Sequence, residues 1–127
     1  MKKKWTSLGL MSGTSGDGVD ASIIITNGLD EYKVLTDKYF QYDSDIYKDI
    51  HSLKEKIHKT SHLEEFNNEL NDLERKITIF HAEIIKKLKI DDKTIVGFHG
   101  QTIYHNAKEK ITSQIGNAEL LSQLTFF

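Results

Sequence analysis

Neither cysteine nor proline occurs in this chain of 127 residues. Without thiols there is no disulfide and no thiolate metal site, and nothing points to an oxidising compartment. Without proline there is no proline-rich linker or tail. Charge of neither sign prevails, since 17 basic residues stand against 19 acidic ones for a net charge of -2. So even a balance gives no electrostatic reason to expect nucleic acid as a partner. No apolar run approaches the roughly 20 residues that a membrane span needs, so no membrane partner is expected. The start, Met1-Lys2-Lys3-Lys4-Trp5, reads as a solvated lead-in to a strand rather than a targeting segment. A soluble, cytoplasmic domain is expected. No internal repeat or low-complexity tract is visible.

What is present suits one domain with a modest core: 38% of residues are hydrophobic and 28% charged, over a length typical of a single compact unit. Strands are predicted at about 5–11, 19–26 and 33–42. The run Ile23-Ile24-Ile25 suggests burial on both faces of the second strand. Asn27-Gly28 is a strong hairpin signal, because both residues tolerate positive φ. Two tight connections in succession imply three antiparallel strands. Ile46, Ile50, Leu53 and Ile57 then share one face of a helix over 44–58.

A second, long helix is expected over 62–89. Ser61-His62-Leu63-Glu64 offers a capping box, and Leu63, Phe66, Leu70, Leu73, Ile77, Phe80 and Ile84 form its apolar stripe. At 1.5 Å per residue it would be about 40 Å long, enough to cross a sheet. A coiled-coil seam would show the same spacing, but a strand signal resumes at once over 94–98, which favours a helix covering the sheet. His99-Gly100-Gln101-Thr102 follows as a polar cluster at the expected C-terminal end of that strand, where α/β folds usually hold ligands. A short strand over 111–115 and a final helix over 117–124, capped by Asn117, complete the reading. The predicted class is α/β with a mixed sheet.

The segment of interest lies between the first two strands. Ser12-Gly13-Thr14-Ser15-Gly16-Asp17-Gly18 has glycines that permit positive φ and close backbone approach to a ligand. Successive N–H groups in such a turn form a concave nest for phosphate oxygens, and Thr14 and Ser15 add hydroxyl donors. Asp17 and Asp20 would repel bare phosphate, which makes sense if Mg²⁺ lies between or if they hold the loop itself. There is no Gly-Lys-Ser/Thr ending for a Walker loop, no glycine at position 17 for a nucleophile elbow, and no EF-hand ligand spacing. From residues alone, a plain hairpin turn remains the competing reading. His99 and His105 do not make a metal pair, since no carboxylate or thiolate completes one. His51, His58, His62 and His81 read as solvent-facing or core-edge residues of the helices.

The run Gly9-Leu10-Met11-Ser12-Gly13-Thr14-Ser15-Gly16-Asp17-Gly18-Val19-Asp20 resembles the opening signature of the anhydro-N-acetylmuramic acid kinases. A second resemblance is Phe98-His99-Gly100-Gln101-Thr102-Ile103-Tyr104-His105, followed by Ile111-Thr112-Ser113-Gln114-Ile115-Gly116-Asn117. It is similar to that family's His-Gly-Gln-Thr and Gln-Ile-Gly segments, in the same order. The resemblance implies the incomplete first lobe of an actin-like, ribonuclease H-like fold. Its opening antiparallel strands would hold the ATP phosphates in the turn formed by Gly13, Thr14, Ser15, Gly16, Asp17, Gly18, Val19 and Asp20. It further implies ATP and Mg²⁺ as cofactors, with Mg²⁺ reached indirectly through Asp17 or Asp20. His99, Gln101 and Thr102 would shape a sugar cleft. Family members open 1,6-anhydro-N-acetylmuramic acid with water and phosphorylate its 6-oxygen, yielding N-acetylmuramic acid 6-phosphate and ADP in cell-wall recycling.

Departures from the pattern matter as much. Gly16 stands where the family usually has Leu, which is expected to loosen the loop. Ala107 stands where the family typically has Pro. The family's general-base aspartate, in an Asp-Thr-Gly-Pro-Gly segment, and its adenosine-binding motifs are absent from residues 1–127. The end, Leu124-Thr125-Phe126-Phe127, leaves the family pattern. The expectation is therefore one truncated N-terminal lobe over 1–127, with little or no kinase activity of its own. The alternative is a non-catalytic orphan lobe or split-enzyme half that binds a second-lobe polypeptide or forms a homo-oligomer. A hairpin plus coiled-coil adaptor unrelated to kinases ranks below both.

Overall fold

The computed structural model describes residues 3–127; Met1 and Lys2 of the basic lead-in lie outside the described residues. Strand β1 spans Trp5–Ser12, β2 Gly18–Thr26, β3 Tyr32–Gln41, β4 Ile95–Asn106 and β5 Ile111–Ile115. Helix α1 spans Ser44–Lys56, α2 Ser61–Glu65, α3 Asn67–Leu88 and α4 Ala118–Thr125. The strands form one mixed sheet in the order β3-β2-β1-β4-β5. β1, β2 and β3 are antiparallel neighbours, β4 runs parallel to β1, and β5 folds back antiparallel on β4. The class is α/β, as the sequence indicates.

Alternation of side chains across the pleat decides which face is covered. Leu8, Leu10 and Ser12 of β1 and Val19, Ala21 and Ile23 of β2 are buried, whereas Met11, Asp20 and Tyr39 are exposed. Ile24 and Ile25 are only half-buried, so β2 is covered on one face rather than two. The covering layer is α1 and α3, whose Ile46, Ile50, Leu53, Leu73 and Ile77 join the strand residues in one core. The connection between β2 and β3 is longer than a two-residue turn. It runs over 27–31, with Gly28 at φ +78 and the buried Asn27 accepting from the N–H groups of Leu29, Asp30 and Glu31.

The long helix is interrupted. Phe66, at φ -101 and ψ 25, separates α2 from α3, and Thr60 makes no side-chain cap, so the capping box at Ser61 does not form. The 22 residues of α3 still reach about 33 Å. Its buried surface is wider than a coiled-coil seam, because Thr78, His81, Ala82 and Ile85 are buried beside the expected stripe. His81 is fully buried, which corrects its reading as a surface or core-edge residue. Its ring meets Phe98 edge-on at 4.9 Å. α1 begins at an unanticipated cap, Asp43, whose carboxylate accepts from the Ile46 N–H at 2.9 Å.

β4 differs most from expectation. It does not stop at Phe98 but continues to Asn106, so the polar cluster lies inside a strand. Gly100, at φ +80, is an extra residue in the ladder between the pairs Leu10–Phe98 and Ser12–Gln101. Such a bulge reverses the inside-outside alternation. Phe98 and Gln101 therefore face the same way, and Gln101 is buried. A Cβ on Gly100 would lie 2.6 Å from the Ile115 carbonyl oxygen, so close approach as well as φ requires glycine.

Candidate functional site

The loop joining β1 to β2 is built from both ends. Its first residues form a turn in which the Gly16 N–H donates to the Gly13 carbonyl at 3.3 Å. Gly16 takes φ +67, and a Cβ there would meet Ile50 Cγ2 at 2.9 Å. Gly16 thus occupies a left-handed turn seated on α1. The far end is tied by the Tyr42 N–H, which donates to the Asp17 carbonyl at 2.9 Å. Lys54 of α1 donates from Nζ to the Thr14 carbonyl.

These contacts leave one side open. Gly13, Thr14, Ser15 and Asp17 are exposed, and a Cβ on Gly13 would meet nothing within 4 Å. Among the described residues, the Thr14 and Ser15 N–H groups donate to no acceptor within the chain. Unclaimed amides beside a glycine form the kind of concavity that receives an anion. Asp20 is exposed one pleat away, opposite Tyr39 in the ladder. The Tyr39 phenol has its pKa raised, first by desolvation and then by the Asp17 and Asp20 carboxylates. His51 Nε2 lies 3.9 Å from Asp17 Oδ1.

Beneath the loop is a buried polar chain. Gln101 Nε2 donates to the Gly13 carbonyl at 2.7 Å and to the Thr102 carbonyl at 2.9 Å. The Tyr42 hydroxyl lies 3.0 Å from both Gln101 Oε1 and Ser12 Oγ. Ser12 Oγ in turn is 3.4 Å from His81 Nε2, and His81 Nδ1 is 2.8 Å from the Ile77 carbonyl. A carbonyl only accepts, so Nδ1 carries the proton and Nε2 is the acceptor. Burial pushes the Tyr42 pKa up to about 12, against a lowering by the Ser12 hydrogen bond. Burial likewise pushes His81 down to about 4.

The structure brings the loop residues 13–20 and Gln101 together and separates His99 from them. His99 is exposed, with Nδ1 2.9 Å from the Gly100 carbonyl, while Gln101 and Thr102 are buried. Tyr39, Tyr42 and Lys54 escaped the sequence reading, which had Ser12 only as the start of the loop segment and His81 only as a surface or core-edge residue. For His81 a signal existed, since it lies four residues after Ile77 and three before Ile84 on the apolar stripe. Tyr42 gave none, being the last residue before a helix cap. Among the described residues no group of three His, Cys, Asp or Glu side chains could hold a metal ion by itself.

A mixed sheet opened by antiparallel strands, with a glycine-rich turn between the first two, is the arrangement of an incomplete actin-like sugar kinase lobe. The model of the anhydro-N-acetylmuramic acid kinase family matches residues 5–127. The chain belongs to that family. It is 54% identical over 127 residues to the anhydro-N-acetylmuramic acid kinase of Pelagibacter ubique (strain HTCC1062), covering 98% of this chain and 34% of the relative. Identity to the enzyme of the same name from Agrobacterium fabrum is 33% over 126 residues, covering 94% of this chain and 34% of that protein. For Bradyrhizobium diazoefficiens it is 36% over 126 residues, covering 93% and 34%. The chain thus spans about a third of the length of the curated relatives it matches. No helix among the described residues is long and apolar enough to cross a membrane.

Proposed function

We propose that the loop from Gly13 to Asp20 receives the phosphates of ATP, and that this chain is the phosphate-holding part of a sugar kinase. The reaction of that kinase converts 1,6-anhydro-N-acetylmuramic acid and water, with ATP, into N-acetylmuramic acid 6-phosphate and ADP. The observation that carries the reading is the exposed turn at Gly13, where the Thr14 and Ser15 N–H groups have no partner among the described residues. The Thr14 and Ser15 hydroxyls add donors that rotate toward phosphate oxygens. Lys54 and Gln101 hold the turn's carbonyls inward, so that its N–H side is presented outward.

Asp17 and Asp20 fit an indirect role toward Mg²⁺. Both carboxylates are exposed beside the turn, and Mg²⁺ normally takes one or two carboxylates together with phosphate oxygens and waters. Bound there, the ion supplies charge neutralisation on the β- and γ-phosphates. The sugar is assigned to the side of His99, with Gln101 and Thr102 behind it. A cytoplasmic location accords with the need for ATP. The family's general-base segment is not among these residues, so this chain by itself is expected to turn over little or no anhydro-sugar.

Titration of the purified chain with ATP, with and without Mg²⁺, tests the site. Binding that needs Mg²⁺ and weakens on substitution of Gly13 or Asp17 supports it; binding indifferent to both overturns it. A coupled assay for ADP release with the anhydro-sugar tests the expected inactivity, which turnover comparable to an intact relative would contradict.

One observation favours the second reading, in which the chain docks on another polypeptide. Among the described residues, β5 pairs only with Gln101–Asn106, so Ile95–His99 of β4 has β1 on one side and no strand on the other. Beside that open edge is a groove of about 300 Å³ lined by Val96, Phe98, Leu121 and Phe127. An unpaired edge next to apolar surface is a template for an added strand. Mixing the chain with the remaining two-thirds of the Pelagibacter relative should give co-elution and recovered ADP release; independent elution removes this reading.

A further inference from the structure

We propose that Gln101 is a positioning residue for the phosphate loop, acting through Gly13 from inside the fold rather than by touching the sugar. This deepens the phosphate-site reading above and rests on it for its bearing on nucleotide. The side chain is fully buried, and its hydrogen-bonding groups are committed. Both Nε2 hydrogens face carbonyls, of Gly13 and Thr102, which fixes the amide orientation and leaves Oε1 toward Tyr42. A glutamine so engaged has no free donor to offer a ligand. The Gly13 carbonyl it holds is also the acceptor of the Gly16 N–H. Two donors converging on one oxygen pin the peptide between Gly13 and Thr14, and with it the direction of the Thr14 N–H.

The clamp is itself supported. Oε1 can only accept, so the single Tyr42 proton is drawn to Gln101, although Ser12 Oγ is equally near at 3.0 Å. The Ser12 hydroxyl then serves as donor toward Tyr42 or His81 Nε2. The chain therefore runs from α3 through the end of β1 and the connection between β3 and α1 to β4, and finishes on the loop. Every member is buried, where leaving a polar group half-satisfied is costly. The Gly100 bulge is what turns Gln101 into it. A residue of the polar cluster in β4 thereby sets the geometry of a loop 88 positions earlier.

The test is amide hydrogen exchange on the full chain, comparing Gln101→Met, which keeps volume and removes the hydrogen bonds, with Tyr42→Phe and the unaltered protein. The Gly16 and Tyr42 amides, which bond across the loop, report its order; the Leu73 and Ile77 amides of α3 report global stability. The expectation for Gln101→Met is about tenfold faster exchange at Gly16 and Tyr42 relative to α3. Tyr42→Phe should shift the loop amides in the same direction by a smaller factor, and provides the answer if Gln101→Met does not fold. Loop exchange that is unchanged, or that rises only in step with α3, overturns the proposal; a sugar-contact role for Gln101 predicts the former. In the same samples, MgATP affinity should fall with loop order. Absence of MgATP binding in the unaltered chain counts against the phosphate-site reading alone, since loop exchange still decides the role of Gln101.

Discussion

His81 donates from Nδ1 to the carbonyl of Ile77, one helical turn earlier, across 2.8 Å. That bond makes Nε2 an acceptor pointed at Ser12, and burial holds the ring neutral with a pKa near 4 rather than 6.5. In the unfolded chain the ring takes a proton below about pH 6.5. The unfolded state therefore binds more protons between these values, and stability falls with pH through the window. The full contribution is present above about pH 6.5, and roughly 3 kcal/mol is lost by pH 4. Urea unfolding across this range should show the loss, and His81→Leu should flatten the slope even where its absolute stability is lower. An unchanged slope in that variant would remove the assignment.

Gly13 and Gly16 are predicted to respond oppositely to alanine. At Gly16 the φ of +67 and the contact with Ile50 should cost about 1–2 kcal/mol of stability. At Gly13 the added methyl meets open space, so stability should change by less than about 0.5 kcal/mol. The same methyl lies at the mouth of the turn and should weaken MgATP binding severalfold. Denaturation and nucleotide titration on both variants separate the two effects.

Gly100→Ala should be the more damaging glycine substitution in β4. It combines φ +80 with a 2.6 Å approach to the Ile115 carbonyl, so a loss of roughly 2–3 kcal/mol is expected. If the variant folds by removing the bulge, Gln101 turns outward, and the Tyr42 amide should lose protection. A variant as stable as the parent with Tyr42 still protected contradicts this account.

Tyr39 offers a readout for Mg²⁺ that needs no turnover. Its phenol is raised by desolvation and by the Asp17 and Asp20 carboxylates. Neutralising either carboxylate, as in Asp17→Asn, should lower the Tyr39 pKa toward its ordinary value without reaching it, because desolvation remains. Mg²⁺ with ATP should move it the same way. Resonances of a ring-labelled chain followed through alkaline titration measure both shifts, and a Tyr39 titration indifferent to Asp17 and Mg²⁺ would count against the carboxylates facing a cation.

Much of the frame was legible because it depends on neighbours in sequence. The period of Ile46, Ile50 and Leu53 placed α1, the spacing of Leu70, Leu73 and Ile77 placed the buried side of α3, and the glycines at 13, 16 and 18 marked the loop. Legibility ended where a local pattern had two readings. The stripe through Leu63 and Phe66 ran unbroken in sequence, yet the chain turns at Phe66. Asn27-Gly28 signalled a two-residue turn, but the Asn27 amide collects three N–H groups and widens it.

The sequence by itself determined the family, the α/β class, and the loop that opens between the first two strands. These follow from residue types at short spacing, where turn chemistry and side-chain period act directly. Only the tertiary structure decided what lies under that loop. Whether Gln101 faces a cleft or the interior depends on one extra residue in a parallel ladder, and whether His81 is a surface or core group depends on which helix face meets β4. Both outcomes are set by desolvation: once Ser12, Tyr42, His81 and Gln101 are drawn inside together, each must find a partner among the others, and that pairing joins residues from distant parts of the chain.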